Sequence, residues 1–144
     1  MRTDQDTSTV LDMSVTGIGG LFFRSRDPEA RAAWYRKYLG VDAGADTVWH
    51  QDAGMTVFAP FRADDEYFAL DQPFMINLRV EALDELVARL EAAGVAVERR
   101  PEWETEYGRF VRVHDPEGLP LELWETRSHE GPGEPSISGE SRSS

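Results

Sequence analysis

The sequence predicts an α+β domain made of two βαβββ modules paired in one domain, with curved mixed sheets around a cleft and helices outside. Three features of the text lead there. The order strand, helix, strand, strand, strand is written twice, over about 15–61 and again over 74–126. Both helical segments end in Gly-Val, at Gly40-Val41 and Gly94-Val95. The closing hairpins are in register. His50 precedes Gly54 as His114 precedes Gly118, and Phe58 follows Gly54 as Glu122 follows Gly118. This repeat is too long for a solenoid unit, so it implies two half-domains related by an internal pseudo-two-fold.

The elements follow in order. "VTGIGGLFFRS" (15–25) has the apolar, aromatic content of a strand. "DPEARAAWYRKYLG" (27–40) reads as a helix, with Asp27 as N-cap, Pro28 in the first turn and Gly40 as terminator. "TVWHQ" and "MTVFAPF" predict two strands joined at "DAG". An acidic stretch with aromatics, "RADDEYFALDQP" (62–73), links the modules and reads either as a plain linker or as a lid. The second module opens with "FMINLRV" (74–80). In "LDELVARLEAAG" (83–94), Leu83, Leu86, Val87 and Leu90 form an apolar stripe of helical period. "VAVERR" is strand or extended chain, and "GRFVRVHD" and "LPLELWE" are strands joined by the turn "PEG".

The ends are different. From Ser128 onward, Ile137 is the one large apolar residue among serines, glycines and prolines. Such a composition cannot bury enough surface to offset its ordering entropy, so 128–144 is expected to be disordered and 1–13 flexible. The ordered domain is expected over 14–127.

Composition narrows the function classes. With 40% hydrophobic and 29% charged residues, the 144-residue chain suits one soluble domain. No cysteine is present, which excludes disulfides and thiolate metal sites. A net charge of −12 repels phosphate backbones, so nucleic acid is not expected as a partner, whereas a cationic small molecule would be attracted. Neither a signal-peptide core nor a membrane-length apolar run occurs, so a cytoplasmic protein with no membrane partner is expected.

Strand alternation nominates a ligand pocket. In "LPLELWE", Leu121 and Leu123 should meet the helices, which leaves Glu122 and Trp124 for the cleft. The same logic aims Phe22 and Arg24, Met75, Asn77 and Arg79, and Phe58 inward. An apolar and aromatic wall with a few polar heads is the usual make-up of a small-molecule site. Glu122 is the candidate catalytic residue. Arg24 or Arg79 could pair with it as a structural ion pair, and without such a pair a buried carboxylate is a candidate general acid or base.

The segments "GLFFRSRDPEARAAWYRKYLGV", "INLRVEALDELVARLEAAGV" and "DPEGLPLELWE" resemble the vicinal-oxygen-chelate superfamily. That superfamily includes glyoxalase I, extradiol dioxygenases, fosfomycin-resistance enzymes and bleomycin-resistance proteins. Asp115, Pro116 and Gly118 followed by Leu121-Glu122-Leu123 carry the most specific part of the likeness. The resemblance implies paired βαβββ modules and a homodimer. In metal-dependent relatives each of four strands gives one ligand. Here those positions fall on Gly20, near Phe58, on Met75 and on Glu122, so only Glu122 could serve. No metal ligand set and no cofactor are therefore expected. His50 and His114, at matching strand ends, are expected at the rim of the sheets.

The resulting expectation is a metal-free protein that binds a cationic or aromatic small molecule, resembling the bleomycin-resistance proteins. The alternative is a glyoxalase-like lyase or isomerase, or a dioxygenase, using Glu122 with a rearranged metal site.

Overall fold

The computed structural model describes residues 14–127. The ends expected to be flexible, 1–13 and 128–144, lie outside those residues. The fold class is α+β, with one four-stranded mixed sheet and two α-helices among the described residues.

Helix α1 spans Pro28–Trp34 and runs on as a wider, π-helical turn over Tyr35–Leu39. It starts as its sequence dictates. The Asp27 side chain accepts a hydrogen bond from the Ala30 N–H at 3.2 Å, satisfying one of the free donors of the first turn. It stops at Gly40, whose φ of 68° is the left-handed conformation that a residue without Cβ adopts at little cost.

Strand β1 covers Ile76–Arg79 and helix α2 covers Leu83–Ala92. The cap of α2 is not local. Ala82 offers no side-chain acceptor, and the Leu83 N–H donates instead to Glu125 Oε2, 3.2 Å away on the last strand. The far end closes at Gly94, where the Val95 N–H donates back to the Leu90 carbonyl at 2.9 Å. The Gly-Val repeat thus marks two real helix ends.

A short 3₁₀ turn, Pro101–Trp103, leads into β2 (Glu104–Thr105), β3 (Gly108–His114) and β4 (Pro120–Thr126). The strand order is β1-β4-β3-β2. β1 runs parallel to β4, while β3 is antiparallel to both β4 and β2. The second module keeps the expected order, but "VAVERR" contributes only an isolated bridge between Glu98 and Arg112. Its place as a strand is taken by Glu104–Thr105.

One core forms on the helix-facing side of the sheet. Leu83, Leu86, Val87 and Leu90 of α2 pack with Val111 and Val113 of β3 and Leu121 and Leu123 of β4, and Tyr35 of α1 joins them. Burying each such side chain is worth about 1.5–3 kcal/mol.

The first module departs from expectation. Residues 15–25, 47–51 and 55–61 belong to no helix or strand. Val15, Phe22, Val57 and Phe58 are 71–91% exposed. Alternation and β-branched content favour an extended chain, but a ladder also needs a partner edge, and that depends on packing rather than on the segment itself. This half is tied to the rest by the apolar packing of Tyr35 and its neighbours on α1 and by a polar latch from α1 to the turn at 115–118. Arg31 and Tyr35 both donate to Asp115 Oδ2, at 2.8 and 2.7 Å. Glu117 accepts from Ser25 Oγ at 2.6 Å and from the Arg26 and Asp27 N–H groups.

Candidate functional site

The sheet has a second face, away from the helices, and the site lies there. β1 and β4 pair Asn77 with Glu122 and Arg79 with Trp124. β3 and β4 pair Phe110 with Trp124 and Arg112 with Glu122. Strand alternation puts these six side chains on one surface, because their neighbours Ile76, Val111, Val113, Leu121 and Leu123 fill the core.

Glu122 is buried although it points away from the apolar core. Both of its oxygens have partners, as a buried carboxylate requires. Asn77 Nδ2 donates to Oε1 at 2.8 Å. The hydroxyl of Tyr67, reaching in from the loop 62–73, donates to Oε2. Burial first, and then the hydrogen bond to the Glu122 carboxylate, push the Tyr67 phenol up to about 12. Tyr67 is therefore a neutral donor at any physiological pH.

Arg112 lies beside this pair. Its guanidinium carbon is 4.7 Å from the centroid of the Tyr67 ring and 4.7 Å from that of Trp103, both within cation–π range. One terminal nitrogen donates to the Tyr67 carbonyl at 2.6 Å, while Nε is buried with no acceptor. Next along the face, Phe110 and Trp124 stack with centroids 5.6 Å apart and planes 8° from parallel. The Trp124 N–H is satisfied by the Tyr107 carbonyl at 2.9 Å, which fixes the indole in place.

The residues nominated from sequence divide into two groups. Asn77, Arg79, Glu122 and Trp124 come together on this face. Met75 lies just before β1, its sulfur 4.0 Å from Gln72 Nε2. Phe22 and Phe58 do not join them; they are 91% and 84% exposed on segments of the first module that form no strand. Arg24 is exposed too, and its carbonyl accepts from Arg31 at 2.8 Å. Neither Arg24 nor Arg79 pairs with Glu122. Arg79 donates to the Asp52 carbonyl at 3.0 Å, and Glu122 is held by an amide and a phenol instead.

The sequence reading did not nominate Phe110, Arg112, Tyr67 or Trp103. For the first two the signal was present, since alternation along "GRFVRVH" places both with Gly108 and His114. Tyr67 and Trp103 lie outside the sheet's period, and only a lid reading of loop 62–73 pointed toward Tyr67.

The donor set does not fit a divalent ion. Among the described residues no three of His, Asp and Glu lie close enough to hold one. His50 and His114 are both exposed. Glu122 already accepts from two hydrogen-bond donors, and Arg112, its register partner on β3, disfavours a second positive charge beside it.

Comparison with known proteins agrees with the geometry. A family described as "Glyoxalase-like domain" matches residues 20–124. A solved structure, TnmS3, an antibiotic binding protein from Streptomyces sp. CB03234, is similar at 25% identity and a TM-score of 0.53. The match covers 80% of this chain and 99% of that one. No curated protein matches the sequence. The chain therefore belongs to the glyoxalase-like domain family, within the vicinal-oxygen-chelate superfamily. Among the described residues no helix is long and apolar enough to cross a membrane.

Proposed function

We propose that this chain binds a planar aromatic small molecule on the Glu122 face and sequesters it without a metal, in the manner of a bleomycin-resistance protein. The observation that carries this reading is the make-up of that face. A buried, fully hydrogen-bonded carboxylate, a guanidinium lying against two aromatic rings and a stacked Phe110–Trp124 pair occupy one rigid sheet surface. Phe110, partly exposed and backed by the buried Trp124, presents a flat ring fixed by packing that accepts another flat ring with little loss of side-chain freedom. The likeness to TnmS3, an antibiotic binding protein, supports the same class of ligand. The net charge of −12 supports a cationic or zwitterionic member of that class, by drawing it to the surface.

The test is a titration of purified protein with neutral and cationic planar aromatics, followed by tryptophan fluorescence and thermal unfolding. Saturable quenching with one ligand per chain is expected, together with about 2.7 kcal/mol of added stability at a hundredfold excess over Kd. Trp124→Ala should lose both signals. Stoichiometric metal in untreated protein that disappears in Glu122→Ala would overturn the metal-free reading and favour a lyase, isomerase or dioxygenase.

A homodimer and a cytoplasmic location belong to the same proposal. The exposed apolar side chains of residues 15–25 and 55–61 support self-association, because association would take them out of water. Sedimentation of the full chain beside Phe22→Ser and Phe58→Ser tests the dimer, and cell fractionation tests the location. A monomer at every concentration would remove the first of these readings.

A further inference from the structure

The binding face is already in contact with an aromatic ring, that of Tyr67. We propose that Tyr67 is a resident occupant of the site, so that the ligand is a hydroxylated aromatic ring that displaces it. The inference rests on the binding function proposed above and names the chemistry that the site selects.

The division between fixed and movable parts carries the argument. Asn77, Arg112 and Glu122 belong to paired strands, whereas Tyr67 belongs to a loop that is in no helix or strand. The strands hold a carboxylate oxygen and a cationic plane in fixed relation. The loop supplies a phenol that meets both, its hydroxyl on Glu122 and its ring against Arg112. A wall residue would need only the ring. The hydroxyl answers an acceptor that the sheet presents whether the loop is down or lifted, and any incoming phenol meets the same two partners.

The Tyr67 backbone is held at both groups, its carbonyl by Arg112 at 2.6 Å and its N–H by Asp65 Oδ1 at 2.8 Å, but its side chain remains open to water, with the residue 37% exposed, and can turn out without moving either bond. Its ring neighbour Phe61, at 5.8 Å, is itself 48% exposed. Nor does Tyr67 satisfy the whole site, because Arg112 Nε is left buried without an acceptor. A phenol carrying an acceptor beside its hydroxyl could answer that donor, which the tyrosine side chain cannot. Competition between loop and ligand lowers the apparent affinity by the fraction of time the loop is lifted.

The experiment compares wild type, Tyr67→Phe and Tyr67→Ala in fluorescence titrations with 2-naphthol and with 2-methoxynaphthalene, which lacks the donor. Tyr67→Ala is expected to bind 2-naphthol about tenfold tighter than wild type does, as removal of an internal competitor requires. It should also prefer 2-naphthol to 2-methoxynaphthalene by about tenfold, the worth of one hydrogen bond to a charged acceptor. Tyr67→Phe keeps the ring and gives up the hydroxyl, so it should show a smaller gain while guarding against a fold defect in the alanine variant. If Tyr67→Ala binds both probes no better than wild type, or if the two probes bind equally, Tyr67 is a wall and the inference fails while the binding function stands. If no form binds either probe or any other planar aromatic, both readings fail.

Discussion

Arg31 of α1 and Asp115 of the turn between β3 and β4 form a buried ion pair. Both Nε and a terminal nitrogen of Arg31 lie 2.8 Å from Oδ2, with side-chain exposures of 7% and 0%. Asp115 also accepts from the Glu117 and Leu119 N–H groups at 2.8 and 3.1 Å, so one carboxylate shapes the turn and anchors the helix. Removing Arg31 takes the counter-charge from a buried carboxylate, and removing Asp115 leaves the buried guanidinium with Glu117 as its remaining carboxylate. Arg31→Ala or Asp115→Ala is therefore expected to cost about 3–5 kcal/mol. Urea denaturation measures it, and a loss below 1 kcal/mol in both variants would show that the latch carries no stability.

Glu122 and Tyr67 give a spectroscopic prediction. Burial and the carboxylate hold the Tyr67 phenol near 12, so it should ionise well above an ordinary tyrosine in an alkaline absorbance titration. Glu122→Ala removes the hydrogen bond and the negative charge, and Tyr67 should then titrate lower. Since burial is the larger cause, a return all the way to the ordinary value is not expected. An unchanged titration curve would mean that the contact does not exist in solution.

Stability should fall on both sides of neutrality. The Glu117 carboxyl is held down near 2, by Ser25 Oγ first and then by the Arg26 and Asp27 N–H groups. The Glu125 carboxyl is lowered chiefly by Arg109. Groups with depressed folded values bind fewer protons folded than unfolded. Their contribution is whole above about pH 4.5 and fades as pH drops toward 2. The raised phenols of Tyr67 and Tyr35 act in the opposite sense. Their contribution is whole below about pH 10 and is lost as pH climbs past it. Thermal melts from pH 2 to pH 11.5 check both limbs, and Glu117→Gln should flatten the acid one.

Gly108 opens β3 with φ of 131°, and a Cβ there would sit 2.1 Å from the Glu125 carbonyl oxygen. Both backbone strain and collision oppose any side chain. Gly108→Ala is expected to cost at least about 1–3 kcal/mol from the conformation alone. Gly94→Ala, strained at φ of 88° but with open space around it, should cost less. Chemical denaturation of the two variants ranks them, and the reverse order would contradict the packing described for the start of β3.

What the sequence revealed, and what it did not, divides along physical lines. α2 was legible because Leu83, Leu86, Val87 and Leu90 repeat with the helical period and all four are buried. Glu122 and Trp124 were legible because the leucines on either side of Glu122 fix which way β4 faces. Tyr67 and Trp103 were not, since they come from a loop and a 3₁₀ turn whose positions follow from the sheet rather than from local spacing. The segments around Phe22 and Phe58 read as strands in the sequence but form none in the structure. Propensity describes one strand, whereas a ladder requires two.

The loop 62–73 contributes none of the residues fully buried in the core, yet it delivers the phenol that meets Glu122. On the proposed function, one part of recognition is thus carried by a segment outside the core. On that reading, exchanging this dozen residues for another sequence that keeps a donor to Glu122 should retune which compounds bind, which makes the segment a natural place to engineer new selectivity.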